Sequence, residues 1–278
     1  MIMLKALNQW CFPAGTSLED VFSISQEAGF TAVELNLNDD GDVGLTMQTT
    51  DEEALEIKAM AESYGLKLRS LSTALLWKYP LCAEDAEVRA KGSAVVQKQI
   101  ELASVMGMDT ILVVPGAVTD AVPYDACYER SQEMLKPLLK IAEEKDVFIG
   151  IENVWNKFLM SPLELARYVD ELDSPKAAVY FDVGNVLQFG FPEQWIRILG
   201  SRIAKIHVKD FKTSTGNITG FVSLLSGDVN WKAVAQAMKD IGYDDVLTAE
   251  LSPYALSPKA LPEDTSRHMD YIMNSVNE

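Results

Sequence analysis

The sequence predicts an α/β fold, a (β/α)8 barrel with parallel strands inside and helices outside, and three observations point to it. Eight short apolar, β-branched runs alternate with helical patterns along the 278 residues. No linker interrupts them, so residues 1–278 are expected to form one domain, of a length that suits a single barrel of about 250 residues. Each of the last four runs ends in a residue that can bind a divalent metal: Glu152, Asp182, His207 and Glu250. Strand–helix alternation implies a parallel sheet with right-handed crossovers. An open doubly wound sheet is the rival, but no Gly-x-Gly-x-x-Gly follows the first run to support it.

The strands are expected at 4–10, 32–37, 67–72, 110–114, 147–151, 178–181, 203–207 and 246–251. Four helical patterns close with Gly and a bulky apolar residue shortly before a strand: Gly29-Phe30, Gly65-Leu66, Gly107-Met108 and Gly242-Tyr243. Glycine tolerates the left-handed conformation that ends a helix, and its apolar neighbour packs back on the last turn. Helix starts show as capping boxes, Thr50 with Glu53 and Ser161 with Glu164, the second followed by Pro162 at the first helical position. In the helix after Thr50, residues Ile57, Met60, Ala61 and Tyr64 have the spacing of a core-facing stripe. The polar, Gly-rich segment 211–230 reads as an active-site loop after strand seven.

Hydrophobic residues at 48% and charged residues at 23% are ordinary for a globular chain with a sizeable core. The balance of 24 basic against 41 acidic residues gives a net charge of −17, which opposes binding to nucleic acid or to anionic membrane surfaces. With neither a signal peptide nor a long apolar stretch in view, the expectation is a soluble, cytoplasmic protein. Cys11, Cys82 and Cys127 lack Cys-x-x-Cys spacing and read as reduced thiols.

In such a barrel the carboxyl ends of all strands meet at one face, so residues ending strands five to eight become neighbours. An ionisable side chain ending a buried strand needs a partner or a metal. Any one of the four could merely cap a helix or pair with a lysine; four coincidences favour one site. Three carboxylates and one imidazole form a hard, oxygen-rich set that suits Mn²⁺ first, with Mg²⁺, Co²⁺ and Zn²⁺ open. His207 is one of only two histidines and precedes Val208, Lys209 and Asp210, whose charges cannot all lie in a core. The segment 36–41, which looks like half of an EF-hand, is set aside because Met47 stands where a bidentate Glu is required.

Ile151-Glu152-Asn153, Phe181-Asp182-Val183-Gly184-Asn185, Ile206-His207-Val208-Lys209-Asp210 and Ala249-Glu250-Leu251 resemble the xylose isomerase-like TIM-barrel superfamily, most closely its sugar isomerase and sugar (phosphate) 3-epimerase branch. Pro192-Glu193-Gln194-Trp195 and the Ser-Gly-Asp-Val-Asn-Trp run at 226–231 add to the likeness. The resemblance implies that Glu152, Asp182, His207 and Glu250 hold one divalent metal, with Glu152 and Glu250 also serving as acid and base. A metal beside a carbonyl stabilises the enediolate left when an adjacent proton is removed, and two carboxylates on opposite faces can exchange that proton. The partner would be a sugar, a sugar phosphate or a cyclitol, and a homo-oligomer goes with the family.

Two departures touch the substrate. Many members carry a His where this chain has Asn185, which can hydrogen-bond a hydroxyl but not carry charge. Many also carry an Arg in the loop after the His-x-Lys-Asp motif, where this chain has Lys212, read as solvated. Lys209 is assigned to a substrate oxygen or to a contact behind the ligands and Asp210 to an orienting role, with a simple ion pair the alternative for each. Trp10 and Trp155 are candidates to stack on sugar C–H faces, Trp77 could equally seal the barrel top, and Glu34 could reach inward as a hydrogen-bonding acid or pair with a lysine.

Rivals differ in inventory. Endonuclease IV, of the same superfamily, uses several histidines and binds DNA, which two histidines and the net charge oppose. Xylose isomerase proper would need a His-Asp pair for ring opening. A dehydratase of inosose type would use the same enolisation and then expel a hydroxyl, and a barrel that binds sugar without turnover is the reading from another class.

Overall fold

In a computed structural model of the chain, which describes residues 3–275, eight parallel strands close into a barrel. They are β1 (Leu4–Asn8), β2 (Ala32–Asn38), β3 (Lys67–Thr73), β4 (Thr110–Val113), β5 (Phe148–Glu152), β6 (Ala177–Asp182), β7 (Ile203–Val208) and β8 (Val246–Ala249). Each pairs with its sequence neighbours, and β1 pairs with both β2 and β8 to close the ring. Eight helices wrap it: α1 (Leu18–Glu27), α2 (Asp51–Ser63), α3 (Ala86–Met106), α4 (Tyr124–Lys145), α5 (Pro162–Glu171), α6 (Pro192–Leu199), α7 (Trp231–Asp240) and α8 (Ala260–Asn274). The barrel expected from the sequence is the barrel observed. Among the described residues, no helix is long and apolar enough to cross a membrane.

The differences are local and have local causes. Strand β1 stops two residues short of Trp10 because the Asn8 side chain accepts the Trp10 amide at 2.7 Å and starts a 3₁₀ turn, Gln9–Cys11. Strand β8 stops at Ala249, while the Glu250 amide still donates to Val208 O at 3.3 Å, so Glu250 begins a loop yet stays registered to β7. Strands β5 and β6 run one residue further than expected and take in Glu152 and Asp182.

The helix punctuation follows the sequence with two corrections. Gly29, Gly65, Gly107 and Gly242 have φ of +85°, +70°, +74° and +73°, the left-handed stop that glycine favours. Thr50 and Glu53 form both bonds of a capping box. Ser161 forms only half of one, because the Glu164 carboxylate accepts Tyr124 Oη at 2.6 Å instead of reaching back. Met60 is 37% exposed and does not belong to the core stripe of α2, which runs through Ala54, Ile57, Ala61 and Tyr64. Met60 sits about 80° round the helix from the centre of that stripe, at its edge.

At the amino-terminal end of the barrel, buried Lys205 of β7 bridges Asp109 Oδ1 at 2.6 Å and Asp245 Oδ2 at 2.7 Å, and Arg69 pairs with the same two carboxylates. Paired charge at this end serves stability, because barrel active sites lie at the other end. Replacing Lys205 by Ala is expected to cost about 2–3 kcal/mol in urea unfolding. That is below the about 3–5 kcal/mol of a wholly buried pair, since Asp109 and Asp245 keep 32% and 26% of their side chains exposed.

Candidate metal centre

The sheet register brings the four predicted ligands to one point. Asp182 lies opposite His207 across β6 and β7, and Glu152 opposite Tyr180 across β5 and β6. Each of the four offers one ligand atom within 4.8 Å of all the others. His207 Nδ1 faces all three acids, at 2.9 Å from Glu250 Oε2, 3.6 Å from Glu152 Oε1 and 4.0 Å from Asp182 Oδ2. Opposite ligands on a cation with bonds of about 2.0–2.2 Å stand about 4.0–4.4 Å apart, so the set needs to close by less than about one ångström.

Three carboxylates this close, out of water, demand positive charge. Lys209 Nζ supplies part of it, 2.9 Å from Glu250 Oε1 and 3.3 Å from Asp182 Oδ2. Burial, then the charge of Glu250, raises the Glu152 carboxyl to about 7, although His207 and Lys209 pull the other way. Burial raises Asp182 as well. It also opposes the charge on Glu250, but Lys209 and His207 outweigh it and hold that carboxyl at about 2. His207 is buried, which disfavours its cation, yet the acids around it, Glu34 first, push it well above the ordinary histidine range.

Two atoms in this cluster lack a directed partner: Asp182 Oδ2 and His207 Nδ1 are buried and make no hydrogen bond. Their neighbours lie within ionic distance but off the hydrogen-bond directions. Buried polar atoms left in this condition are rare in native proteins, and a site for an ion is one reason for them. The hard donor set and these two unpaired atoms, aimed at one point, fit a divalent cation held by Glu152, Asp182, His207 and Glu250.

The residues that aim the ligands were less visible in the sequence. Glu34 of β2, 1% exposed, accepts His207 Nε2 at 2.6 Å, which leaves Nδ1 turned to the acids. Glu34 is itself held by Ser70 Oγ at 2.6 Å, by Asn8 Nδ2 and by Tyr180 Oη. A carboxylate behind a ligating histidine fixes its ring orientation and raises its basicity. Glu34 keeps its charge against burial because His207 stands beside it. Asn153 does the same for the backbone of Asp182: its Oδ1 accepts Asp182 N at 2.9 Å and its Nδ2 donates to Asp182 O at 2.8 Å. An acid inside a run as apolar as Ala32–Asn38 was the signal for Glu34; nothing in the sequence tied it to His207.

Glu152, Glu250 and Lys209 form part of the wall of a cavity of about 840 Å³ at the barrel mouth. Trp10, Trp155 and Asn185 line it too, as does Trp77 at its rim, 51% exposed. Trp155 Nε1 donates to Asn185 O at 2.8 Å, and its ring packs against Phe211 and Phe221. Asn185 spends its Nδ2 on Asn153 O at 3.0 Å, tying the ends of β5 and β6 together. The expected loop after β7 forms a short antiparallel pair, Asp210–Phe211 with Phe221–Val222, whose second strand borders the cavity. Asp210 orients this loop rather than a ligand. Its carboxylate accepts Phe211 N at 2.9 Å, Val229 N at 3.2 Å and Trp231 Nε1 at 3.1 Å. Gly227 lies so close that a Cβ there would come 2.0 Å from Asp210 Oδ1. Lys212 pairs with Asp228 at 2.6 Å away from the cavity wall.

Comparison with known proteins agrees with this architecture. The chain is 23% identical over 232 residues to L-ribulose-5-phosphate 3-epimerase UlaE of Escherichia coli K12, covering 83% of this chain and 81% of that protein. The solved structure of D-psicose 3-epimerase from Clostridium cellulolyticum H10 superposes with a TM-score of 0.78 at 16% identity, covering 98% of this chain and 99% of that one. The 3-keto-D-glucoside 4-epimerase YcjR of E. coli superposes with a TM-score of 0.78 at 15% identity, covering 96% of this chain and 99% of its own. At such identities the solved structures speak for the fold alone. The family described as xylose isomerase-like TIM barrel matches residues 22–272, and the chain belongs to it.

Proposed function

We propose that the protein is a divalent-metal-dependent isomerase of sugars or sugar phosphates, an epimerase or aldose–ketose isomerase acting by proton transfer next to a carbonyl. One observation carries this reading. Glu152 and Glu250 belong to a four-residue cluster fit for a metal, and both also line the cavity where a substrate would lie. A cation bound there, Mn²⁺ by preference, supplies Lewis-acid charge beside the carbonyl. Glu152 and Glu250 come from opposite ends of the arc of ligand-bearing strands, so one can remove the proton and the other return it. Lys209, charged and tethered to Glu250, offers a donor to a substrate oxygen on that wall. Trp10 and Trp155 present rings to C–H faces, Asn185 lines the same cavity, and Glu34 holds His207 in position behind the metal. The activities of the three proteins compared above, each a sugar epimerase, support the class. Action within the cytoplasm and as a homo-oligomer, without nucleic acid, completes the proposal.

The decisive test is solvent deuterium uptake by ketoses, aldoses and their phosphates with Mn²⁺-loaded protein. One of them is expected to take up deuterium at the carbon beside its carbonyl and to give a product of unchanged mass otherwise. Loss of water from the product would instead mark a dehydratase. Glu152→Gln and Glu250→Gln are each expected to lower that exchange by about 10²–10⁴-fold, and undiminished exchange in both would remove the acid–base assignment. Glu34→Gln is expected to weaken Mn²⁺ binding by about 10–100-fold in a metal titration while the protein stays folded. With metal at about 100 times its dissociation constant, chelation is expected to lower the stability of the wild-type protein by about 2.7 kcal/mol.

A further inference from the structure

The cavity is larger than one sugar ring needs. At two heavy atoms to the roughly 30 Å³ that a water takes in the liquid, a hexose occupies about 200 Å³. The cavity measures about 840 Å³. Its two sides also differ in chemistry. The ligand-bearing strands β5 to β8 put Glu152, Lys209 and Glu250 on one wall, while Thr73 ends β3 and Trp77 follows it, β3 being the strand opposite β7 in an eight-membered ring. The loops after β7 and β8 add hydroxyls and a ring to the lining, Ser223, Ser252 and Tyr254 among them. Trp77, on the short helix Leu75–Lys78, holds a large ring half in water at the rim, where a ligand face would cover it.

A phosphate would find little to hold it. Among the described residues lining the cavity, Lys209 is the one cation, and it is already bound to Glu250 and Asp182. Phosphates in barrels of this architecture commonly sit on the loops after strands seven and eight, at the N-terminus of a helix. Here α8 begins beside the cavity, but the amides of Ala260 and Leu261 already donate to Ser257 O at 3.0 Å and Pro258 O at 3.2 Å. Pro262 has no N–H, and Glu263 adds a negative charge to the same turn. The three acids of the metal cluster and a net charge of −17 repel a dianion further.

We infer that the cavity takes an uncharged sugar bearing a second ring, the reacting unit against Glu152 and Glu250 and the second ring against Trp77 on the opposite wall. This rests on the isomerase reading for which end carries the carbonyl. The class is that of keto-disaccharides and keto-glycosides, as opposed to ketose phosphates.

Three probes share one reacting unit and differ only at its far end: D-fructose, D-fructose 6-phosphate and isomaltulose, in which a glucosyl ring replaces the phosphate. Calorimetric titration of Mn²⁺-loaded protein is expected to give isomaltulose a dissociation constant at least about tenfold below that of fructose, and the phosphate one at least about tenfold above it, each step worth about 1.4 kcal/mol. Trp77→Ala, a change at a half-exposed ring outside the core, is expected to bring the isomaltulose-to-fructose ratio within about threefold of one. Tightest binding of the phosphate, equal binding of fructose and isomaltulose, or measurable binding of none would each overturn the inference. Deuterium uptake read on the same samples separates the two claims. Selectivity for the second ring without exchange would sink the isomerase reading and leave the substrate class standing, and exchange with preference for the phosphate would do the reverse.

Discussion

Three carboxylates and an imidazole share one buried point at the mouth of the barrel, and much of the molecule is arranged to make that tolerable. Ionised groups out of water cost several kcal/mol each unless countercharge and hydrogen bonds meet them. Lys209 comes in from the solvent side and His207 from beneath, its second nitrogen turned back to Glu34. Behind Glu34 stand Asn8, Ser70 and Tyr180, from β1, β3 and β6, so the charge of one ligand is stabilised through strands around half the ring. The barrel interior under the site is thus a hydrogen-bonded floor, where an apolar filling would leave His207 free to rotate.

The same convergence explains the division of labour between the barrel's two ends. At the amino-terminal end, Arg69 and Lys205 meet Asp109 and Asp245 in pairs of opposite charge. At the carboxyl end, acids outnumber bases, and two atoms remain without directed partners. A matched network ties strands together. An unmatched one fits a cation, and the fold fixes its members because they sit at or next to strand ends, with Asn153 and Asn185 bracing the junction of β5 and β6.

Beyond the cluster, the loop after β7 builds much of the cavity wall and is anchored from within. Asp210, 1% exposed, gathers two loop amides and the Trp231 indole, so the segment after β7 has a fixed anchor despite its polar, Gly-rich composition. Phe221 of that segment stacks on Trp155, which in turn is held by the Asn185 carbonyl. The aromatic wall, the loop and the end of β6 are therefore tied to one another by direct contacts.

The sequence by itself determined the strand count, the helix stops and the four candidate ligands, because each is written locally. A buried strand must be apolar for its whole length, so an acid or histidine at its end stands out, and a left-handed helix stop calls for glycine where nothing else relieves the strain. It also set the acidic charge balance, a net charge of −17. What it left open depends on contacts between residues far apart in the chain. Glu34 could have met a lysine or a histidine, and only the closure of the barrel set it against His207, 173 positions away. Asp210 was legible as an orienting acid, yet the object it orients, the loop pinned at Gly227 and Trp231, followed from how the hairpin folds back. Met60 fell from the expected stripe because the helix docks on Ala54 and Ala61, a matter of rotation about an axis that periodicity leaves uncertain by one residue. Local chemistry is readable one residue at a time; a partner is chosen by the fold, since pairing depends on geometry that the chain acquires only when the ring closes.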